Sequence, residues 1–277
     1  MKNILSLSIP INFGQKKDGV ELGCEEIYNN YLKKNLYNVN FINYEHKIFD
    51  YDKSEENHKI MFELHKYIRE LINKYDFFIL LGGDHSISMA TISGLYLNHP
   101  REKCVIWLDA HTDCNNIEKS ETGNIHGMPV AGLLGDLEEP YNNYKCLDYH
   151  EICYIGPRSI DDFEDEYIKK HNILTLGTDK INEDIDSVLQ KVEEFINDRE
   201  VHLSFDIDVM DPELISSTGV PEKNGINMNQ MKKILLFIGE FNIKSMDIVE
   251  LNPKLGNYEK SFNYLKELLD IYFKIDY

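Results

Sequence analysis

Tryptophan occurs once in this 277-residue chain, cysteine five times and proline eight times, and Lys plus Arg total only 29 against 48 Asp plus Glu. The resulting net charge of −19 repels phosphate backbones and argues against nucleic acid as a partner. The same field favours cationic small molecules and divalent metal ions. Cys24, Cys104, Cys114, Cys146 and Cys153 are odd in number, lack CxxC spacing and sit mostly beside apolar residues. They read as reduced, buried thiols in a reducing compartment, not as a disulfide framework. No apolar run approaches the 18 residues of a membrane span, and the opening stretch MKNILSLSIPINFGQKK breaks at Pro10 without a small-residue cleavage site. The expectation is a cytoplasmic protein that does not engage membranes. Pro/Ser-rich linkers, low-complexity tracts and internal repeats are also missing, so a single domain over residues 1–277 is expected.

What the chain does contain is an ordinary globular mixture, 42% hydrophobic and 28% charged, long enough to bury a large core. Short apolar runs alternate with longer amphipathic segments. That pattern predicts an α/β fold, a three-layer α-β-α arrangement with a mainly parallel central sheet. Strands are predicted at Asn3 to Ile9, Asn38 to Asn43, Phe77 to Leu81, Cys104 to Leu108, Ile152 to Ile155, Val201 to Phe205 and Ile243 to Val249. Helices are predicted at Glu56 to Lys74, Ser88 to Leu97, Asn182 to Asn197, Asn229 to Gly239 and Tyr258 to Phe273. In the first of these, Ile60, Leu64, Tyr67, Ile68 and Leu71 form one apolar stripe.

Asp and His gather where predicted strands end, the edge at which open α/β sheets place ligands. The first cluster follows Leu80-Leu81, where Gly82 and Gly83 allow a tight turn before Asp84 and His85. The second is Asp109, His111 and Asp113, which in an extended conformation would point to one side. The third is Asp206 and Asp208. Four carboxylates and two imidazoles converging on one place need a cation to relieve their repulsion. Two divalent ions would balance the carboxylates, and a mainly oxygen donor set with some imidazole suits Mn²⁺ better than a thiolate-rich zinc site does. Asp84 reads as a turn residue or a supporting partner.

The segments GGDHS at Gly82–Ser86, DAHTD at Asp109–Asp113 and SFDIDVMDP at Ser204–Pro212 together resemble the metal signatures of the ureohydrolase superfamily, which includes arginase, agmatinase and formimidoylglutamase. The resemblance runs from Gly14-Gln15 and Gly19–Gly23 to Glu250–Pro253 and is closest to the arginase type. It implies a binuclear manganese site with His85, Asp109, His111, Asp113, Asp206 and Asp208 as ligands, and hydrolysis of a guanidino compound by metal-activated water. The segment Glu121–Pro129 is similar to the arginase-type SGN(L/I)HG loop. By that match His126 is the proton shuttle to the leaving amine, a task suited to imidazole. Asn115, Thr122 and Asn124 would hold an α-carboxylate, Asp161 and Glu164 an α-amino group, and Glu250 the guanidinium.

A site with partners for both α-groups selects an amino acid over its decarboxylated amine, which points to L-arginine as substrate. The acidic run Asp161–Glu166 equally fits the solvated first turn of a helix. Two positions depart from the arginase pattern: Val220 stands where a Thr is usual, and Thr122 replaces Ser. The long C-terminal tail of some relatives is expected to be missing, although the resemblance implies a homo-oligomer, a trimer or hexamer. Another ureohydrolase specificity, or a catalytically silent metal-binding homologue, are the alternatives.

Overall fold

The computed structural model describes residues 3–36, 38–44, 54–97 and 102–273. Eight strands form one sheet: β1 Ile4–Ile9, β2 Val39–Asn43, β3 Phe77–Gly82, β4 Lys103–Leu108, β5 Ile152–Ile155, β6 Leu174–Leu176, β7 Glu200–Asp206 and β8 Ile243–Val249. Their order across the sheet is β2-β1-β3-β8-β7-β4-β5-β6, and every pairing is parallel. All-parallel sheets are covered on both faces, and this one obeys. The alternating side chains of β3 divide accordingly: Phe77, Ile79 and Leu81 join one core, Phe78 and Leu80 the other. Cys104, Ile106 and Leu108 of β4 separate from Val105 and Trp107 in the same way.

The helices are α1 Gly23–Ile27, α2 Lys33–Asn35, α3 Ser54–Leu71, α4 Ile87–Tyr96, α5 Pro129–Leu134, α6 Asp162–His171, α7 Thr178–Glu183, α8 Ile185–Ile196, α9 Met228–Ile238 and α10 Tyr258–Phe273. Residues of α3, α4, α5 and α6 pack on one face of the sheet, and residues of α1, α7, α8, α9 and α10 on the other. The three-layer expectation is met. α4 is buried along its whole length because α3 and α5 cover it from outside.

The differences from the sequence reading are local. β6 was not predicted, since three residues are too few to carry a period. The single helix expected at Asn182 to Asn197 is two, divided at Asp184, whose Oδ1 accepts from the amides of Asp186 and Ser187 at 3.0 and 3.1 Å and restarts the helix as an N-cap. No described helix is long and apolar enough to cross a membrane.

Candidate metal centre

The sheet order sets β3, β8, β7 and β4 side by side, so four chain segments distant in sequence emerge next to one another at the carboxyl edge. His85 follows β3, Glu250 follows β8, Asp206 ends β7 with Asp208 just beyond, and Asp109 follows β4. They converge on a cavity of about 240 Å³. Every candidate ligand, catalytic and substrate-binding residue named from the sequence lines it except Asp109, which lies beneath it at 1% exposure.

His85 is the hub of one ligand group. Its Nε2 lies 2.8 Å from Ser204 Oγ, which leaves the Nδ1 lone pair pointing at carboxylates: Asp109 Oδ2 at 3.0 Å, Asp113 Oδ2 at 3.1 Å and Asp206 Oδ2 at 3.3 Å. The ring is stacked on Trp107, with centroids 4.1 Å apart. His111 anchors a second group, its Nδ1 3.1 Å from Asp208 Oδ2 and 3.4 Å from Asp109 Oδ1. The ligand atoms of His85, Asp109 and Asp113, and those of Asp109, His111 and Asp208, lie close enough to share an ion each. Asp109 belongs to both, presenting one oxygen to each histidine.

The residues present fit a pair of divalent cations. His85 Nδ1 is buried without a hydrogen-bond partner despite three carboxylates around it. Among the described residues, no Lys or Arg forms an ion pair with any of the four aspartates. The nearby Arg158 guanidinium instead donates to backbone carbonyls, including those of Gly156, Asp208 and Glu222. Burial and the Asp109 charge push the Asp113 carboxyl up to about 7, and burial with Asp208 and Asp109 raises Asp206 well above the carboxylate range. Burial opposes charge on His85, yet the Asp109, Asp113 and Asp206 carboxylates around its Nδ1 hold it well above an ordinary imidazole. These are the signs of negative charge that a cation would relieve.

Beside the ligands stands a second pair. Glu250 adopts a left-handed backbone, φ 65°, uncommon for a residue with a side chain. Its Oε1 accepts from the His85 amide at 3.0 Å and faces His126 Nδ1 at 3.1 Å, and its Oε2 accepts from Gln15 Nε2 at 2.6 Å. Burial raises the Glu250 carboxyl, but the hydrogen bond and charge of His126 outweigh it and bring it below its usual value. Reciprocally, burial lowers His126 and Glu250 more than restores it. Asp84 faces away: it accepts from the amides of Gly14 at 2.8 Å and Ser86 at 3.0 Å, which makes it a turn residue.

Toward the rim, Asp161 caps α6 and Glu164 completes a capping box with it, Glu164 Oε2 accepting the Asp161 amide at 3.1 Å. Glu164 Oε1 takes the Cys114 amide at 3.1 Å, so this acid is buried and not part of a solvated turn. Asn115 Nδ2 donates to Asp161 Oδ2 at 2.7 Å. Exposed Thr122 accepts the Asn124 amide at 3.2 Å. The expectation that Asp109, His111 and Asp113 converge through strand alternation is corrected: β4 ends at Leu108, and Asp113 has a left-handed φ of 48°. A turning loop brings them together. Sequence reasoning assigned no part to Gln15, Ser204 or Trp107 Nε1, which donates to Asp109 Oδ2 at 3.0 Å. Ser204 was findable, two residues before Asp206 and on the same side of its strand; Gln15 lies 235 positions from Glu250 and carries no local signal.

The profile of the arginase family matches residues 2–269. The chain belongs to the arginase family. That family is one of binuclear metal enzymes. Arginase of Staphylococcus aureus is 31% identical over 294 residues, covering 98% of this chain and 97% of that one. Arginase of Glaciozyma antarctica is 38% identical over 190 residues, 64% of this chain but 55% of that protein, so the chain spans about half the length of this curated relative. The solved structure of Entamoeba histolytica arginase in complex with L-ornithine superposes with a TM-score of 0.91 at 30% identity, covering 99% of this chain and 98% of that one.

Proposed function

We propose that this chain hydrolyses L-arginine to L-ornithine and urea, with two manganese ions held by His85, Asp109, His111, Asp113, Asp206 and Asp208. The single observation that carries the reading is the juxtaposition of two acid and imidazole ligand groups sharing Asp109 with the His126–Glu250 pair on the same cavity. Bound divalent ions supply a water acidified enough to attack near neutral pH, which resonance-stabilised guanidinium requires. Glu250 Oε2, with the Gln15 amide as its partner, retains acceptor capacity, so it can receive guanidinium N–H groups and orient the carbon. His126, kept readily protonated by Glu250, delivers a proton to the departing δ-nitrogen as urea separates.

At the rim, Asn115, Thr122 and Asn124 offer neutral contacts to the α-carboxylate, while Asp161 and Glu164 offer charge to the α-amino group. The Entamoeba histolytica arginase that superposes on this chain was solved with L-ornithine, the product this reading assigns. A single domain, a cytoplasmic location and a trimeric or hexameric assembly complete the proposal. Val220 on the cavity wall favours a second reading, a different guanidino substrate, because an isopropyl group offers no hydroxyl to the ligand. Turnover of L-arginine, agmatine, guanidinobutyrate and formimidoylglutamate after loading with Mn²⁺ separates the two. Arginine is expected to lead, and agmatine turned over well above arginine would overturn the assignment.

A further inference from the structure

We infer that Gln15 is a positioning residue for Glu250, a part that neither the sequence motifs nor the ligand groups assign to it. The inference rests on the guanidino-hydrolase reading of the site. Gln15 is 3% exposed and donates from Nε2 to Glu250 Oε2 at 2.6 Å, the shortest contact that carboxylate makes. A carboxylate only accepts, so the amide can present only its nitrogen here, and its orientation is fixed by chemistry. The consequence is visible on the other side of the amide, where Oε1 is buried with no hydrogen-bond partner. An orphaned acceptor is unfavourable, and it persists because the opposite edge of the same group holds a buried charge.

The segment around Gln15 is itself tied to the site. The Gly14 amide donates to Asp84 Oδ2 at 2.8 Å, and the Gly14 carbonyl accepts the His126 amide at 3.2 Å. One short strap therefore grips both members of the His126–Glu250 pair, the first by backbone and the second by the Gln15 side chain. Gly219 makes room for it: a Cβ there would lie 2.5 Å from Gln15 Oε1, while Gly219 has no left-handed φ that would forbid a side chain. Glu250 is held from three directions, by the His85 amide, by His126 and by Gln15. Among the described residues, only the Gln15 contact reaches Oε2.

Gln15→Met keeps the length and volume but removes the donor. In the manganese-loaded enzyme it is expected to lower kcat/KM for L-arginine by about 10- to 100-fold, the range for losing a hydrogen bond to a charged group. Inhibition by L-ornithine, which has no guanidinium for Glu250 to meet, should stay within about twofold, with bound metal unchanged. Gly219→Ala, which displaces Gln15 without touching Glu250, should reproduce the same split. The proposal is overturned if Gln15→Met matches the parent, or if the ornithine constant worsens in step with kcat/KM, which would mark a general loosening. A parent enzyme that turns over none of the guanidino compounds would instead sink the underlying reading.

Discussion

Asp109 gives each of its oxygens to a different histidine and takes further hydrogen bonds from Trp107 Nε1 and the His111 amide. Burial works against its charge, but His111 and His85 pull its carboxyl well below the ordinary range. A shared ligand of this kind makes a sharp expectation: Asp109→Asn should lower manganese content towards zero, whereas Asp208→Ala, on one group only, should leave about one ion per chain. Elemental analysis after gel filtration reads both, and two ions retained by Asp109→Asn would refute the shared role. His126 belongs to neither ligand group. His126→Asn is therefore expected to cut kcat by about 10²–10⁴-fold with metal content unchanged, the usual worth of a positioned general acid. Urea release at saturating arginine checks it, and parental activity would remove His126 from the mechanism.

At the scale of elements, each strand end is built to turn. Gly82 lies where a Cβ would come within 2.4 Å of Ile87, and Gly83 where one would strike the Ile11 carbonyl at 1.8 Å, so only glycine lets β3 pass under the β1 loop and into α4. Two of the five thiols lie on strands. Cys104 and Cys153 sit in the buried half of adjacent strands, and Cys24 packs from α1 onto β3, donating to the Leu81 carbonyl. Burial pushes the Cys24 and Cys104 thiols up to about 12. At pH 8 neither forms appreciable thiolate, so Ellman's reagent should leave both unlabelled in the folded protein and find all five thiols after denaturation. Rapid labelling of Cys24 or Cys104 without unfolding would contradict this packing.

Over the whole molecule, the buried site aspartates Asp109, Asp113, Asp206 and Asp208 on a chain of net charge −19 make stability depend on what neutralises them. A carboxyl raised in the folded state favours folding when protonated and loses that contribution as pH rises through its folded value. For Asp113 that window runs from its ordinary value to about 7. Manganese should therefore raise the melting temperature more at pH 8 than at pH 6, and its binding should release protons. Melting curves with Mn²⁺ and with EDTA at both pH values test this. An equal shift at both would show that Asp113 does not exchange a proton for metal.

The candidate ligand types were legible because short motifs keep them within a few residues of a strand end, and seven strands were legible because β-rich runs of four or more residues carry a readable pattern. β6, with three residues, and the break at Asp184 were not, since both depend on neighbours and caps more than on periodicity. By itself the sequence determined the charge, the alternation of apolar segments and the inventory of Asp and His. Tertiary structure decided the strand order that sets β3, β8, β7 and β4 side by side, the left-handed turns at Asp113 and Glu250, and the reach of Gln15 across 235 positions. The reason is physical: local pattern fixes which face of an element is apolar, but which elements become neighbours is settled only when those faces are buried together.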